Sequence, residues 1–223
     1  TTNEGKFAHP CGTWDYEDTL GWQPICEFPS GSGFEFLFYG ALWLGAIVES
    51  DTAVSTGRAG WHCINEMYPA AIPNGAMERV SAKSGDPDYS PAAVATEEVI
   101  AVYYDTLADP AFVEPYLEPF QPLGVSITQH SYAFEATPLS DVIVLRFGVR
   151  NIGEQQLEDF WVGGFFETDV WHIARASLES IMDDISGLYQ LSGSFPIGWS
   201  ADNDGDPEAG EWTEYSPRSV FGV

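Results

Sequence analysis

The sequence predicts a mainly β fold: an antiparallel β-sandwich with long loops and at most one or two short helices. Three observations predict it. Aromatic residues make up 14% of the 223 positions and hydrophobic residues 44%, enough ring volume to fill the space between two sheets. Short apolar runs recur at spacings of roughly 10–15 residues without a sustained helical period between them. Clusters of Gly, Pro, Asn and Asp separate those runs, which is turn chemistry.

Residues 1–33 are punctuated by His9-Pro10, Gly12, Gly21, Gln23-Pro24 and Phe28-Pro29-Ser30-Gly31-Ser32-Gly33, and read as a loop-rich N-terminal segment. A β-sandwich domain is expected from 34 to 223. Residues 34–48 (FEFLFYGALWLGAIV) read as two buried strands, or one bent strand with Gly40 and Gly45 at a bulge. Residues 49–91 read as loop, with turns at Pro69, Pro73, Asn74-Gly75 and Gly85-Asp86-Pro87. The run 96–107 (TEEVIAVYYDTL) opens with acids like a helix, but its β-branched and aromatic centre prefers a strand. Asp109-Pro110 is placed to start a helical turn over 111–117.

From Gly124 the alternation is plain. Val125, Ile127, Gln129 and Ser131 share one side of 124–134, and Ile143, Leu145 and Phe147 oppose Val142, Val144 and Arg146 in 141–151. With 159–170 as a third run, and Asn151-Ile152-Gly153-Glu154 as a turn, the group reads as an antiparallel meander. Residues 171–185 have the spacing of a short amphipathic helix with Ile173, Leu178, Ile181 and Ile185 inward. Short strands follow at 188–191, 196–199 and 219–223.

Charge narrows the function. Asp and Glu number 34 against 8 Lys and Arg, a formal −26. Such a surface repels phosphate backbones and anionic headgroups, so nucleic acid is not an expected partner. No apolar run is long enough to span a bilayer as a helix, since 34–48 carries Glu35 and glycines; direct membrane insertion is not expected. The chain begins at Thr1 without Met, which fits a processed terminus or a fragment. The strand read at its end stops without a turn, so further chain is expected to follow.

The acidic run 200–211 (SADNDGDPEAGE) concentrates five acids in twelve residues. Oxygens at alternate positions, with a glycine for the tight turn, are how a loop wraps Ca²⁺. Ser200, Asp202 and Asp204 fall at ligand positions 1, 3 and 5 of a twelve-residue calcium loop, Gly205 at 6, and Asp206, Glu208 and Glu211 at 7, 9 and 12. Ser at the first position, Pro207 and the lack of flanking helices exclude an EF-hand. The expectation is a static calcium clamp between strands, set against an acidic hairpin turn that binds nothing.

A second acidic set is Glu167, Asp169, Asp183 and Asp184. Glu167 and Asp169, two apart on a strand, share a face, and the pair at 183–184 approaches them if the intervening chain returns. A second calcium site, a glycosidase-like carboxylate pair and plain strand-end acids are the alternatives. Three cysteines (Cys11, Cys26, Cys63) leave at least one unpaired within the chain; Cys11–Cys26 is the favoured disulfide. His9, Cys11, Cys26, His62 and Cys63 are the only zinc-type set, and none of their spacings matches a C-x₂-C knuckle. No G-x-S-x-G, G-x-x-x-x-G-K-[ST], H-E-x-x-H or G-x-G-x-x-G is present, and no catalytic residue or further cofactor is assigned.

The run Pro122-Leu123-Gly124 to Gln129, Ser131, Tyr132 and Ala133 (PLG-x-x-x-x-Q-x-S-Y-A), the DNDGDP of 202–207, and 31–48 together resemble a β-rich domain of large uncharacterised bacterial surface proteins. The segment 31–48 resembles that family's "sGSGnEyLFygaLWvGgiv" pattern, and the likeness extends over most of the chain from about residue 30. The resemblance implies location and architecture: proteins exported with signal peptides, often ending in type IX secretion sorting domains, and no assigned activity. The function expected is therefore a secreted or cell-surface, calcium-stabilised structural domain of a surface or filament protein. It would associate with copies of itself or with other surface proteins through exposed strand edges. The alternative is a glycan-binding or glycan-processing module using an exposed Trp beside the 167–184 acids.

Overall fold

The computed structural model describes residues 5, 7, 26–57, 66–69, 77–107, 120–172, 184–190, 196–201 and 218–222. Among these the fold is mainly β, with no α-helix, and the registered strand pairs are antiparallel. No helix among them is long and apolar enough to cross a membrane. The chain divides into two compact units, one of Thr1–Phe7 with Ala41–Phe165 and one of Ala8–Gly40 with Phe166–Val223.

The first unit holds two sheets. One has the order β3 (Asp51–Thr56), β2 (Tyr39–Val48), β9 (Leu157–Glu167). The other has the order β4 (Tyr68–Pro69), β6 (Glu97–Tyr104), β7 (Val125–Ala133), β8 (Ile143–Asn151), with β5 (Glu78–Ser81) also on β6. Alternation decides which faces turn inward. Leu42, Leu44, Ala46 and Val48 of β2 join Ala53, Met67, Ala101, Tyr103, Leu123, Val125 and Ile127 in one buried cluster, against which Phe7, Phe147, Val149 and Leu157 pack. Each large aliphatic side chain withdrawn there contributes about 2 kcal/mol. Gln129 continues the inward row at zero exposure, because the Tyr103 hydroxyl donates to its Oε1 at 2.8 Å and its Nε2 donates to Ser131 Oγ at 3.2 Å. A buried amide is tolerated when its donors and acceptors are met.

Several expectations are corrected here. The stretch 49–91 is not all loop, since it contains β3, β4 and β5. The β2–β3 hairpin was hidden because Glu49 and Ser50 are not the glycine-type residues of tight hairpins. Instead Glu49 adopts the left-handed backbone (φ 59°), and the Ser50 N–H closes onto the Val48 carbonyl at 2.8 Å. The 34–48 run breaks at 36–38, leaving β1 (Phe34–Glu35) and β2, and both Gly40 and Gly45 lie inside β2. The ambiguous 96–107 run is strand β6. The meander ends at β8, because β9 crosses to the other sheet and pairs with β2. At Gly57 the backbone comes too close for any side chain: a Cβ there would lie 2.3 Å from the Gly5 carbonyl oxygen.

The second unit pairs β1 with β10 (Trp171–His172) and stacks β11 (Ile185–Gln190), β12 (Pro196–Ala201) and β13 (Arg218–Gly222) in that order. Leu37, Phe38, Tyr39 and Val170 are its buried hydrophobics near β1, and Glu35 is buried beside them in sequence at 2% exposure. The helical turn expected at 111–117 and the core of the helix expected at 171–185 lie outside the described residues. The ends of the latter, Trp171–His172 and Ile185, are strand, and Ile185 is exposed.

Candidate functional site

The acidic run sits on the connection of a β-hairpin. β12 ends at Ala201, β13 begins at Arg218, and these two residues are direct partners. Of the expected calcium ligands, Ser200 is described: it is buried, paired with Ser186 and Ser219, and its hydroxyl donates to the Ile185 carbonyl at 3.2 Å. Asp202, Asp204, Asp206, Glu208 and Glu211 lie outside the described residues. Trp199 is spent on packing, since a Cβ at its partner Gly187 would lie 2.6 Å from the indole ring.

Three of the four acids in the second set, Glu167, Asp169 and Asp184, are described, and they belong to the second unit. The Val170 N–H donates to Asp184 Oδ2 at 2.9 Å, so the chain does return beside Glu167 and Asp169. Burial pushes the Asp169 carboxyl up from 3.8 to about 6, and the Glu167 charge adds to the effect. This gives a carboxyl that exchanges its proton near neutrality. Asp183 lies outside the described residues, and among the described ones no three His, Cys, Asp or Glu converge as a metal site. Cys26 is a half-buried thiol, raised in pKa by burial first and by Glu35 second; Cys11, the other half of the expected disulfide, lies outside the described residues. So do His9, His62 and Cys63.

A different carboxylate organises the first unit, and nothing in its sequence context announces it. Asp105, just past β6, is fully buried and accepts three hydrogen bonds at 2.7 Å each, from the Ser55 hydroxyl and from the N–H groups of Leu123 and Val125. It thereby ties β3 to the chain entering β7. Nearby Glu66 accepts the N–H and hydroxyl of Thr56 at 2.7 and 3.1 Å. Its carboxyl is held above the usual range by burial and, less, by Asp105. On the surface, Arg79 bridges Asp86, Asp88 and Glu97, and Lys83 bridges Glu135. Exposed pairs of this kind contribute little.

The first unit also carries an open edge. Among the described residues β8 pairs with β7 alone and β9 with β2 alone. Both strands show apolar side chains to solvent: Ile143 at 67% and Val144 on β8, and Val162 at 55% and Phe160 on β9. A cleft of about 320 Å³ lies where β8 ends and β9 begins, lined by Val125, Val149, Asn151, Gln156, Leu157 and Phe160. Arg146 and Arg150, two of the chain's 8 cations, are exposed on β8. Beside the cleft the chain leaves one sheet at Asn151 and joins the other at Leu157, and Asp159 within β9 has a left-handed backbone (φ 47°). No protein-family model, curated protein or solved structure matches the chain.

Proposed function

We propose that this chain is an extracellular structural domain of a bacterial surface or filament protein, assembling with copies of itself and stabilised by calcium. The observation that carries the reading is the pair of apolar edge strands, β8 and β9, each paired on one side alone among the described residues. An edge strand offers unpaired backbone donors and acceptors to an incoming strand, and apolar side chains on both flanks of the cleft reward its burial. Arg146 and Arg150 supply the counter-charge that a copy bearing −26 needs in order to approach. The resemblance to exported surface proteins supports the location. For calcium, the support is the ligand spacing of 202–211 and its place between two directly paired strands, where an ion would hold the connection closed. Ser200, already donating to Ile185, would leave the ion to the carboxylates.

Sizing and electron microscopy of the purified chain test assembly. Oligomers or filaments are expected for the native sequence and a monomer for Ile143→Lys, whose charge would be buried at the joint. A native protein that stays monomeric at every concentration defeats the proposal. Calcium is tested by melting with and without EDTA: chelation is expected to lower Tm by several degrees. An unchanged transition, with no metal by elemental analysis, removes the calcium component.

A further inference from the structure

The two edge strands carry opposite charge. β8 holds Arg146 and Arg150 and no acid, whereas β9 holds Glu158, Asp159 and Glu167 and no Lys or Arg. The two arginines, four apart on a strand, project from one face. Their direct partners on β7 are His130 and Ser126, neither of them an acid. Arg79 is engaged by Asp86, Asp88 and Glu97, and Lys83 by Glu135, but neither Arg146 nor Arg150 meets an acid among the described residues. Glu158 and Asp159, the second and third residues of β9, are exposed and meet no cation there. In a chain with 34 acids and 8 Lys and Arg, these arginines are left available to a partner.

We infer that copies of this chain join unlike edge to unlike edge: β8 of one adds to β9 of another, with Arg150 against the partner's Glu158. This rests on the self-assembly reading and specifies its joint. The registered pairs within the fold are antiparallel, and an antiparallel joint with flush ends lays the last residues of β8 on the first of β9. Asn151 then faces the partner's Leu157, and Arg150 the partner's Glu158, with Asp159 next to it. The exposed Ile143 and Val144 of β8, and Phe160 and Val162 of β9, fall within the same joint and are withdrawn from water. The other pairings set like against like. A joint of β8 on a second β8 gathers only guanidinium groups, and one of β9 on a second β9 gathers only carboxylates. Like charges facing each other across a sheet are destabilising, so charge selects the unlike pairing as it selects register and partner elsewhere.

Light scattering on the purified chain at low salt, with single charge reversals, tests the joint. Arg150→Glu and Glu158→Arg are each expected to weaken association about tenfold, since each sets like charges together. Tm is expected to hold, because both side chains are exposed. An equal mixture of the two variants is expected to associate again, since the reversed charges then face each other in one joint and the native ones in the next. A chain carrying both reversals is expected to associate on its own for the same reason. A mixture as dissociated as its components overturns the inference. So does an Arg150→Glu chain that associates as tightly as the native one, or more tightly, as a β8-on-β8 joint would require. A native assembly that Ile143→Lys dissociates and neither charge reversal weakens keeps self-assembly and removes the unlike-edge joint; a native chain that is monomeric throughout ends both.

Discussion

At the end of β6 the Asp105 carboxylate takes three hydrogen bonds in full burial. Beyond β9, Asp169 is partly buried beside another acid, Glu167, and its proton affinity rises. Both groups have lost water. Where preorganised donors replace it, the carboxylate becomes a fastener between chain segments. At Asp169 burial first, and the charge of Glu167 second, raise the proton affinity, so the ionised form opposes the fold at neutral pH. The surplus of acids in this chain is thus not one property: it is structural in one region and frustrated in another.

The comparison breaks most visibly at Asp105. Asp105→Ala strands a hydroxyl and two N–H donors in a buried site, and is expected to lower unfolding stability by about 4 kcal/mol, read from urea denaturation. Asp105→Asn keeps an acceptor for part of the set and is expected to lose less. If both variants melt like the native protein, the fastener role is wrong.

A smaller effect of opposite sign is expected at Asp169. Its folded pKa of about 6 lies above the ordinary 3.8, so between these values the folded state holds a proton that the unfolded state has released. The stability this group contributes is full below pH 4, falls as pH rises to about 6, and stays low above. Asp169→Asn removes the dependence and is expected to stabilise the chain by about 1 kcal/mol at pH 7, after allowing for solvent screening of a partly exposed group. Melting curves at pH 4 and pH 7 check this. A variant less stable than the native chain at pH 7 would show instead that ionised Asp169 is held by a cation.

Legibility in the sequence followed the range of the interaction. The inward side of β7 was readable because Val125, Ile127, Gln129 and Ser131 obey a period of two over a long run. β3 was not, because Asp51–Thr56 is small and polar and its burial depends on neighbours distant in sequence. Asp184 reaches the Val170 N–H across a span that neither residue's sequence neighbours specify. Asp105 carried no signal, since an acid after an apolar strand ordinarily ends in water; its partners come from residues 55 and 123–125.

The sequence by itself determined the β class, the sign and size of the charge, and the alternating faces of the long strands, all set by composition or by near neighbours along the chain. Only the tertiary structure decided that β9 leaves the meander for β2, that a cleft lies where β8 ends and β9 begins, and which carboxylates meet donors or each other. Those outcomes depend on partners far apart in sequence, and a strand's own residues say which face it buries but not which strand lies beside it.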